Sequence, residues 1–368
     1  MSILTSFKEL GNKLNPKNLY EKKSRSVAGI DIGSSSIKIV QLKKEKEKAV
    51  LETYGELMLG RYANIDLGQA ARLTDEKITE AVSDLKKEAG VKAEKAFVSI
   101  PLKYSFLTTI SLPLMSKTEI EKAVPFEIKR YIPVPLSEVV FDWQLLPSRD
   151  ENEDKKTPKT NILLVAIYKD FVNKYQNIAK QAGFSETGFE IEIFSGARSA
   201  IYNEPRPVLI IDLGASKAKM AIIERGFFKS AHEFDKGCQD LTMSLSRSLG
   251  IDFEKAEEMK KEIGLSSRPE HKGITEIFEP ILSYIFFEAG RLSAEFRRKE
   301  GRAVNKAYLM GGGALLKGID NFAINKLGIE VEIGDPFMKI EYPAFLENVL
   351  KAAGPVFANS AGLALTGI

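Results

Sequence analysis

The amino-acid sequence predicts an α/β protein of two lobes built on one plan. Strand-like runs of β-branched residues alternate with helical patterns along most of the chain, which is typical of mixed α/β folds. One motif, I-D-[I/L]-G-x-S-x-x-K, begins at Ile30 and again at Ile211, each time between two apolar strand-like runs. Such a distant internal repeat indicates two related lobes. The length of 368 residues agrees with two or three domains.

The composition excludes several classes of protein. Hydrophobic residues make up 44% of the chain, which is enough apolar surface for packed cores and excludes a chain disordered throughout. One cysteine excludes an internal disulfide, and with two histidines a histidine–thiolate metal cluster is not expected. The net charge of +3 gives no argument for nucleic-acid binding. The longest nearly apolar run, 162–168, is too short to span a bilayer and no secretory leader is recognisable, so we expect a soluble cytoplasmic protein.

Local patterns predict the order of strands and helices. Ten strands are expected, at 27–32, 37–42, 96–100, 106–112, 139–146, 161–168, 208–213, 219–223, 307–310 and 329–333. Helices are expected at 74–90, from Ser116 onward, and at 170–182, 253–263, 275–299, 314–327 and within 348–368. Ser116 and Glu119 have the spacing of a capping box, and Pro125 predicts a kink or an end of that helix. A polar stretch over 148–159 predicts a hairpin tip, and the Pro-Arg-Pro run at 205–207 marks a boundary.

The first 25 residues differ from the rest of the chain. Five apolar residues fall near one helical face, namely Ile3, Leu4, Phe7, Leu10 and Leu14. A basic stretch over 21–25 follows. The pattern is compatible with a weak membrane-surface helix, but the short apolar stripe and modest charge favour a terminal helix that docks on its own protein or frays.

The repeated motif has the residues that phosphate binding requires. Asp31 and Asp212 end buried strands, where a carboxylate is costly unless it is paired or near a cation, and they would hold Mg²⁺ through water. Glycine lets the backbone approach a phosphate, and the N–H groups and small hydroxyls that follow cradle the anion. The candidate phosphate-binding residues are Gly33, Ser34, Ser35, Ser36 and Lys38 in the first copy and Gly214, Ala215 and Ser216 in the second. A pair of ordinary β-turns is the alternative interpretation.

A glycine-rich turn and a charged helix could contact the same ligand. The turn follows a strand and opens the predicted helix, so its backbone could pass close to a flat ligand while the helix N-terminus favours anions. Its residues are Gly311, Gly312, Gly313 and Ala314. Glu257 and Lys260 lie three apart on one helix face and could reach a ligand together, although a solvated charged face would give the same pattern.

The order of these four elements resembles the actin-like ATPase superfamily over residues 27–368. The resemblance implies a two-lobed, ribonuclease-H-like fold that binds ATP and Mg²⁺. By the same resemblance, the two copies of the repeat are the phosphate-1 and phosphate-2 motifs, and 311–314 is the adenosine motif. Glu257 and Lys260 are then expected to contact the ribose and the adenine.

The middle of the chain is similar to the PilM family of type IV pilus assembly proteins. The similarity lies in S-I-P at 99–101, I-S-L-P-L-M-S at 110–116, E-I-K-R-Y-I-P at 127–133 and F-D-W-Q at 141–144. It extends more distantly to the division protein FtsA, and implies an inserted subdomain 1C of the SHS2 type in place of the subdomain 1B of actin. FtsA typically carries a C-terminal membrane-targeting helix, and the ending at 362–368 looks instead like the end of the core fold, which favours PilM.

This resemblance supplies the expected division of the chain. The expected segments are an amphipathic, basic N-terminal segment at 1–25, lobe I at 26–205 with subdomain 1C inserted at about 93–187, lobe II at 206–345, and a C-terminal helix returning to lobe I at 346–368. Lobe II would comprise subdomains 2A and 2B.

Membership of the PilM family implies a cytoplasmic, ATP-binding scaffold at the inner face of the cytoplasmic membrane. The expected partner is the N-terminal cytoplasmic tail of a PilN-like membrane protein, bound in a nucleotide-sensitive way. Other expected partners are platform and motor proteins of the pilus machine or of a related type II secretion machine. Membrane association is expected through these partners, self-association stays open, and no nucleic acid is expected.

Catalytic residues are less clear than binding residues. Asp31 and Asp212 are candidates, and Glu192 lies in the segment where hydrolytic relatives place a water-orienting Glu or Gln. A structural role for Glu192 is an equal alternative, and without a strong general base we expect at most slow ATP hydrolysis. Lys217 and Lys219 depart from the small polar residues usual in the family, and they either add phosphate contacts or point away.

Two other functions fit the same motifs. An FtsA-like ATPase would polymerise and associate with the membrane, which requires self-association through the faces of the lobes. A metabolic kinase would require a substrate site with its own catalytic aspartate, and none stands out beyond Asp31 and Asp212.

Overall fold

The structure, a computed structural model, describes residues 26–146, 159–202 and 204–368. The predicted segment 1–25 and nearly all of the predicted hairpin tip over 148–159 lie outside the described residues. The strands are β1 (Ser26–Ile32), β2 (Ser36–Glu45), β3 (Lys48–Met58), β4 (Lys95–Ile100), β5 (Ser105–Pro113), β6 (Val139–Leu145), β7 (Lys159–Tyr168), β8 (Glu186–Ile191), β9 (Val208–Leu213), β10 (Ala218–Glu224), β11 (Phe227–Phe234), β12 (Lys306–Met310), β13 (Glu330–Ile333) and β14 (Ile340–Glu341). The helices are α1 (Gly60–Ala63), α2 (Asp75–Glu88), α3 (Lys117–Glu127), α4 (Lys169–Gln181), α5 (Glu192–Ala200), α6 (Cys238–Leu249), α7 (Phe253–Ile263), α8 (Lys272–Glu300), α9 (Ile319–Leu327), α10 (Glu347–Ala353) and α11 (Ala358–Thr366).

Two sheets share one plan. In the first, β1, β2 and β3 form an antiparallel meander, β4 and β8 continue the sheet parallel to β1, and β14 pairs with β3. In the second, β9, β10 and β11 form the meander, and β12 and β13 continue it parallel to β9. We call the parts built on these sheets the first lobe and the second lobe. The repeated topology confirms the predicted α/β fold of two related lobes.

The register of the two hairpins places equivalent residues at equivalent positions. In the first lobe Asp31 lies opposite Lys38, and in the second lobe Asp212 lies opposite Lys219. The parallel strand β12 puts Met310 beside Asp212. The loop after β9 and the glycine-rich turn after β12 therefore lie side by side, because parallel strands end at the same edge of a sheet.

A third sheet interrupts the first lobe between β4 and β8. Its strands are antiparallel in the order β5-β7-β6, and α3 packs on it through a small apolar core. That core contains Ile110, Ile120, Val124, Ile128 and Ile162. β4 lies inside the start of the predicted insertion and β8 begins at its end, and both strands belong to the six-stranded sheet. The domain bounds and the assignment of the insertion to the FtsA type stay predictions.

The longest helix, α8, forms much of the core of the second lobe. Phe278, Leu282, Phe286 and Leu292 are buried along its inner face, at the spacing of an amphipathic helix. The helix tolerates Pro280 in its first half. Among the helices that the structure describes, none combines the length and the apolar character needed to cross a membrane.

The last helix, α11, closes the first lobe by packing against β1 and α5. The approach of the backbones is so close that a Cβ at Gly362 would overlap the carbonyl group of Ser195. A Cβ at Gly29 on β1 would likewise overlap the carbonyl oxygen of Ser360. Arg198 of α5 secures the contact by donating to both carboxylate oxygens of Glu190 and to the hydroxyl of Thr366.

Some local predictions were incomplete. The predicted helix over 314–327 is divided, because Gly312–Leu315 form a 3₁₀ turn and Gly318 adopts a positive φ of 80° just before α9 begins. Pro125 does mark a boundary, since α3 ends at Glu127 and continues as a 3₁₀ turn. The sequence patterns missed β3, β8, β11, α5 and α6, and also the short elements β14 and α1.

The close packing of α11 predicts a large effect of a single methyl group. We expect Gly362→Ala to lower the free energy of unfolding by about 1–3 kcal/mol, because the helix must move away from α5. The matched control is Gly290→Ala in α8, where no atom lies within 4 Å of the added Cβ. Denaturant unfolding should show the control stabilised by about 0.5–1 kcal/mol, as for a helix interior. An equal change in the free energy of unfolding for the two variants would contradict the close contact between α11 and α5.

Candidate functional site

A cleft of about 880 Å³ lies between the two lobes. Its size is within the range of small-molecule and cofactor pockets. Every candidate site residue named from the sequence contributes to its lining except Ala314, which is buried in the core of the second lobe. The fold therefore brings residues from five distant parts of the chain to one cavity.

The two hairpin loops have the same turn and meet across the cleft. The amide of Gly33 donates to the carbonyl oxygen of Ser36 at 3.1 Å, and the amide of Gly214 donates to that of Lys217 at 3.1 Å. The hydroxyl of Ser216 donates to the hydroxyl of Ser34 at 3.0 Å. The loops thus present small hydroxyls and backbone to the same space, as a cradle for an anion would.

The lysines of the two hairpins have different partners. The ammonium of Lys38 lies 3.8 Å from a carboxylate oxygen of Glu56. The ammonium of Lys219 lies 2.7 Å from Glu192 Oε2 and 3.5 Å from Asp212 Oδ2, and both carboxylates are buried. Lys217 is held elsewhere, by Glu233 and by Asp235 at 2.8 Å. Of the two departures from the family pattern, Lys219 points into the cleft, whereas Lys217 is ion-paired at its rim.

The two strand-end aspartates face each other across one amide side chain. Asn359 Nδ2 lies 3.5 Å from Asp31 Oδ2 and 3.5 Å from Asp212 Oδ2. Asp31 Oδ1 is buried and has no hydrogen-bond partner. A bare buried carboxylate oxygen is costly, so this position fits water or a hydrated cation.

The donor set around these aspartates suits a cation that keeps most of its water. In the part of the chain that the structure describes, no three His, Cys, Asp or Glu side chains converge as a metal-ligand group. Mg²⁺ is commonly held by one or two carboxylates with water completing its shell. Asp31 and Asp212 could hold Mg²⁺ in this way.

Glu192, at the start of α5, links the cleft to the rest of the first lobe. Burial raises the pKa of its carboxyl to about 7, although Lys219 opposes the shift, and the nearby Asp212 and Asp31 raise it further. Its other oxygen, Oε1, accepts a hydrogen bond from the backbone amide of Leu102 at 3.0 Å. Glu192 thus contacts the second lobe and the chain that leads into the three-stranded sheet.

The glycine-rich turn lies against the loop after β9. Gly311 has a positive φ of 81°, and a Cβ there would overlap Asp212 Oδ1. A Cβ at Gly313 would overlap Cys238 Sγ, whereas Gly312 has open space around it. The predicted helix N-terminus at this turn is wrong, because a 3₁₀ turn follows it and α9 begins only at Ile319. Any contact with a flat ligand would come from the backbone of the turn.

Glu257 and Lys260 form a buried pair on α7. Lys260 Nζ lies 2.6 Å from Glu257 Oε2 and 2.9 Å from Thr242 Oγ1, and Thr242 donates to the same carboxylate oxygen at 2.6 Å. Burial raises the pKa of Glu257, but Lys260 and the hydrogen bonds outweigh it, so the pKa is lowered. The two residues are only 9% and 8% exposed, which excludes the solvated charged face.

Sequence reasoning missed two parts of the cleft. One is Asn359, whose only signal is that it is an amide in a C-terminal helix of mostly small and apolar residues. The other is the loop after α1, which crosses to the second lobe. In that loop Gly68, with a φ of 93°, lies against Glu257, and the amide of Ala70 donates to Gln239 Oε1 at 3.0 Å. No motif marks this loop.

Comparison with known families identifies the chain. The sequence profile of the family described as type IV pilus assembly protein PilM matches residues 29–368. The chain belongs to the PilM family. The match includes both hairpins, the three-stranded insertion and the glycine-rich turn.

Solved structures agree with this PilM-family fold. A structure described as the PilM–PilN type IV pilus biogenesis complex superimposes with a TM-score of 0.76 and 24% identity, covering 93% of this chain and 98% of that one. The ethanolamine utilization protein EutJ of Carboxydothermus hydrogenoformans gives a TM-score of 0.54 and 16% identity, over 95% and 91% of the two chains. MreB5 of Spiroplasma citri, bound to ADP, gives a TM-score of 0.50 and 12% identity, covering 92% of this chain and 95% of that one. These likenesses confirm the actin-like fold.

The raised pKa of Glu192 predicts a pH dependence of stability. Between pH 4.5, its ordinary pKa, and about 7, the folded protein binds more protons at this group than the unfolded chain. Its contribution to the free energy of unfolding is therefore full below pH 4.5 and falls as pH rises to 7, by at most about 1.4 kcal/mol per pH unit. We expect Glu192→Gln to flatten this slope in denaturant unfolding, and Glu47→Gln, at an exposed residue, to keep it. Parallel pH profiles for wild type and Glu192→Gln would contradict the assignment.

Proposed function

We propose that the cleft binds ATP with Mg²⁺ and that the protein is an actin-like scaffold of a type IV pilus assembly platform. The observation that carries the proposal is the meeting of two equivalent hairpin loops across one cleft, each with an aspartate and a lysine in the same register. Two such loops grip a polyphosphate from opposite sides. Membership of the PilM family supports the role in pilus assembly.

The phosphates would lie on the hairpin loops. Backbone N–H groups and hydroxyls would bind their oxygens, and lysine would add charge-assisted hydrogen bonds. The residues proposed for this role are Gly33, Ser34, Ser35, Ser36, Lys38, Gly214, Ala215 and Ser216. Asp31 and Asp212 would hold Mg²⁺ through water, and the bound cation would offset phosphate charge.

The nucleoside would lie on the side of the second lobe. Glu257 and Lys260 reach the cleft from α7 as donors and acceptors for the ribose and the base. The open space at Gly312 would admit a flat ring against the backbone of the turn 311–313. Ala314 is not included, because it is buried in the core.

Hydrolysis would be slow at most. Glu192 is the candidate for orienting water, but its carboxylate is already engaged by Lys219 and by the amide of Leu102. Asp31 and Asp212 are assigned to Mg²⁺ rather than to proton transfer. A general base must reach the water that it activates, and the proposal assigns that role to none of these three carboxylates.

The proposed partner is the N-terminal cytoplasmic tail of a PilN-like membrane protein. Support comes from the family and from the similarity to a PilM in complex with PilN. The protein would then work at the cytoplasmic face of the inner membrane through its partners, platform and motor proteins among them, and a related type II secretion machine is a second setting. Nucleotide would bias the affinity for the tail by stabilising one of two conformations.

Nucleotide binding is tested by calorimetry with ATP and Mg²⁺. We expect one site per chain in the wild type, and a loss of at least about tenfold in affinity for Lys38→Met, since a charge-assisted hydrogen bond is lost. The double variant Asp31→Ala, Lys38→Ala should show no measurable binding. The matched control is Lys44→Met on the same strand, outside the cleft. Full affinity in the double variant, or no binding by folded wild type, would refute the nucleotide site.

The partner is tested with a synthetic peptide of the PilN-like tail. We expect direct binding, with an affinity that differs between the nucleotide-free and the ATP-loaded protein. Sedimentation on dilution in ATP distinguishes the FtsA-like alternative. Filaments without peptide binding would favour that alternative over the scaffold.

A further inference from the structure

The two cleft lysines occupy equivalent places, but only one is available to an anion at low cost. The ammonium of Lys38 lies 3.5 Å from the position of a Cβ on Gly33, and that of Lys219 lies 3.9 Å from the same position on Gly214. Each ammonium therefore lies over its own loop. Lys38 has a distant partner at 3.8 Å, Glu56, whose side chain is one-third exposed.

Lys219, in contrast, is held by two buried carboxylates. It lies 2.7 Å from Glu192 of the first lobe and 3.5 Å from Asp212 of its own lobe. Moving its ammonium to a ligand would leave Glu192 buried without a cation, which is strongly unfavourable. Only a ligand group with more negative charge than one carboxylate, at the same place, could draw Lys219 away.

The position of Lys219 along the cleft indicates which group that would be. Lys260, proposed for the nucleoside, donates to the carbonyl oxygen of Cys238 at 3.3 Å, and the amide of Cys238 donates to the carbonyl oxygen of Gly214 at 2.9 Å. The loop at Gly214 thus lies between Lys260 and Lys219. A nucleotide that starts at Lys260 would cross this loop with its phosphates, and its terminal phosphate would then lie on the side of Lys219.

We propose that Lys219 distinguishes ATP from ADP by leaving Glu192 for the terminal phosphate, an inference that rests on the proposed function. ADP is one phosphate shorter and leaves the ion pair between the lobes in place. ATP replaces the Glu192 carboxylate with a more highly charged acceptor, and the lobes are then joined through the nucleotide. Lys219 is a specificity-determining residue in this scheme, and Glu192 is a positioning residue.

The change of partner of Lys219 would also affect the base of the three-stranded sheet. Glu192 Oε1 accepts from the amide of Leu102, which opens the 3₁₀ turn Leu102–Tyr104 between β4 and β5. When Lys219 leaves, the uncompensated carboxylate must turn toward water or take up a proton, and its bond to Leu102 changes. The nucleotide state is thereby transmitted to the base of the inserted sheet by one side chain that contacts both.

The first test compares the affinities of ATP and ADP at fixed Mg²⁺ by calorimetry. We expect Lys219→Met to reduce the ratio of ATP to ADP affinity by about tenfold or more, the effect of one charge-assisted hydrogen bond. The control is Lys217→Met on the same hairpin, whose ammonium is paired with Glu233 and Asp235 and which should keep the wild-type ratio. An unchanged ratio in Lys219→Met, or an equal loss for both nucleotides, would overturn the proposal. If wild type binds neither nucleotide, the proposed function itself fails.

A second variant with an effect of opposite sign covers the case in which Lys219→Met does not fold. Glu192→Gln keeps an acceptor for Leu102 but removes the charge that holds Lys219, so we expect a higher ratio of ATP to ADP affinity than in wild type. Amide hydrogen exchange at Leu102 is a second readout, because an ion pair with a purely structural role would not make it depend on the nucleotide. ATP, and not ADP, should change the exchange rate of the Leu102 amide in wild type. Identical exchange with both nucleotides, or a lower ratio in Glu192→Gln, would contradict the role of the pair.

Discussion

The buried ion pair between Glu192 and Lys219 is the interaction on which the arrangement of the cleft depends. Three buried carboxylates, Asp31, Asp212 and Glu192, line this part of the cleft. Burial raises the pKa of the Glu192 carboxyl, and the nearby Asp212 and Asp31 raise it further. In the described structure Lys219 forms ion pairs with two of these carboxylates, Glu192 and Asp212. Without that cation the second-lobe hairpin and α5 of the first lobe would repel each other at their point of contact.

The two lobes have the same architecture, but they differ in the feature that matters for function. Topology, register and loop geometry repeat from the first hairpin to the second. The ion pairs of the two lysines differ. Lys38 lies 3.8 Å from the partly exposed Glu56, whereas Lys219 lies 2.7 Å from the buried Glu192. A symmetric cradle would hold a polyphosphate without reporting its length. Because of this asymmetry, a ligand that recruits Lys219 must offset the free energy of breaking its ion pair with Glu192, whereas a ligand that recruits Lys38 need not.

Much of the fold and of the cleft could be predicted from the sequence because the signals are local. The repeated aspartate, glycine and lysine lie within nine residues in each copy, and a hairpin fixes their relation. Asn359 and the loop at Gly68 could not be predicted, because their roles depend on contacts with residues more than a hundred positions away. The helix expected directly after the glycine triplet failed because Gly318 interrupts an otherwise continuous apolar pattern. The pairing of Lys219 with Glu192 joins two lobes, and no spacing along the chain encodes it.

The central claim is that the two hairpins form one nucleotide site. It is tested most directly by amide hydrogen exchange of the whole protein during titration with ATP and Mg²⁺. The account predicts that the amides of both loops, 33–36 and 214–217, become protected together, and that the protection saturates at one bound ATP per chain. Protection of only one loop, or of neither at saturating ATP, would contradict it.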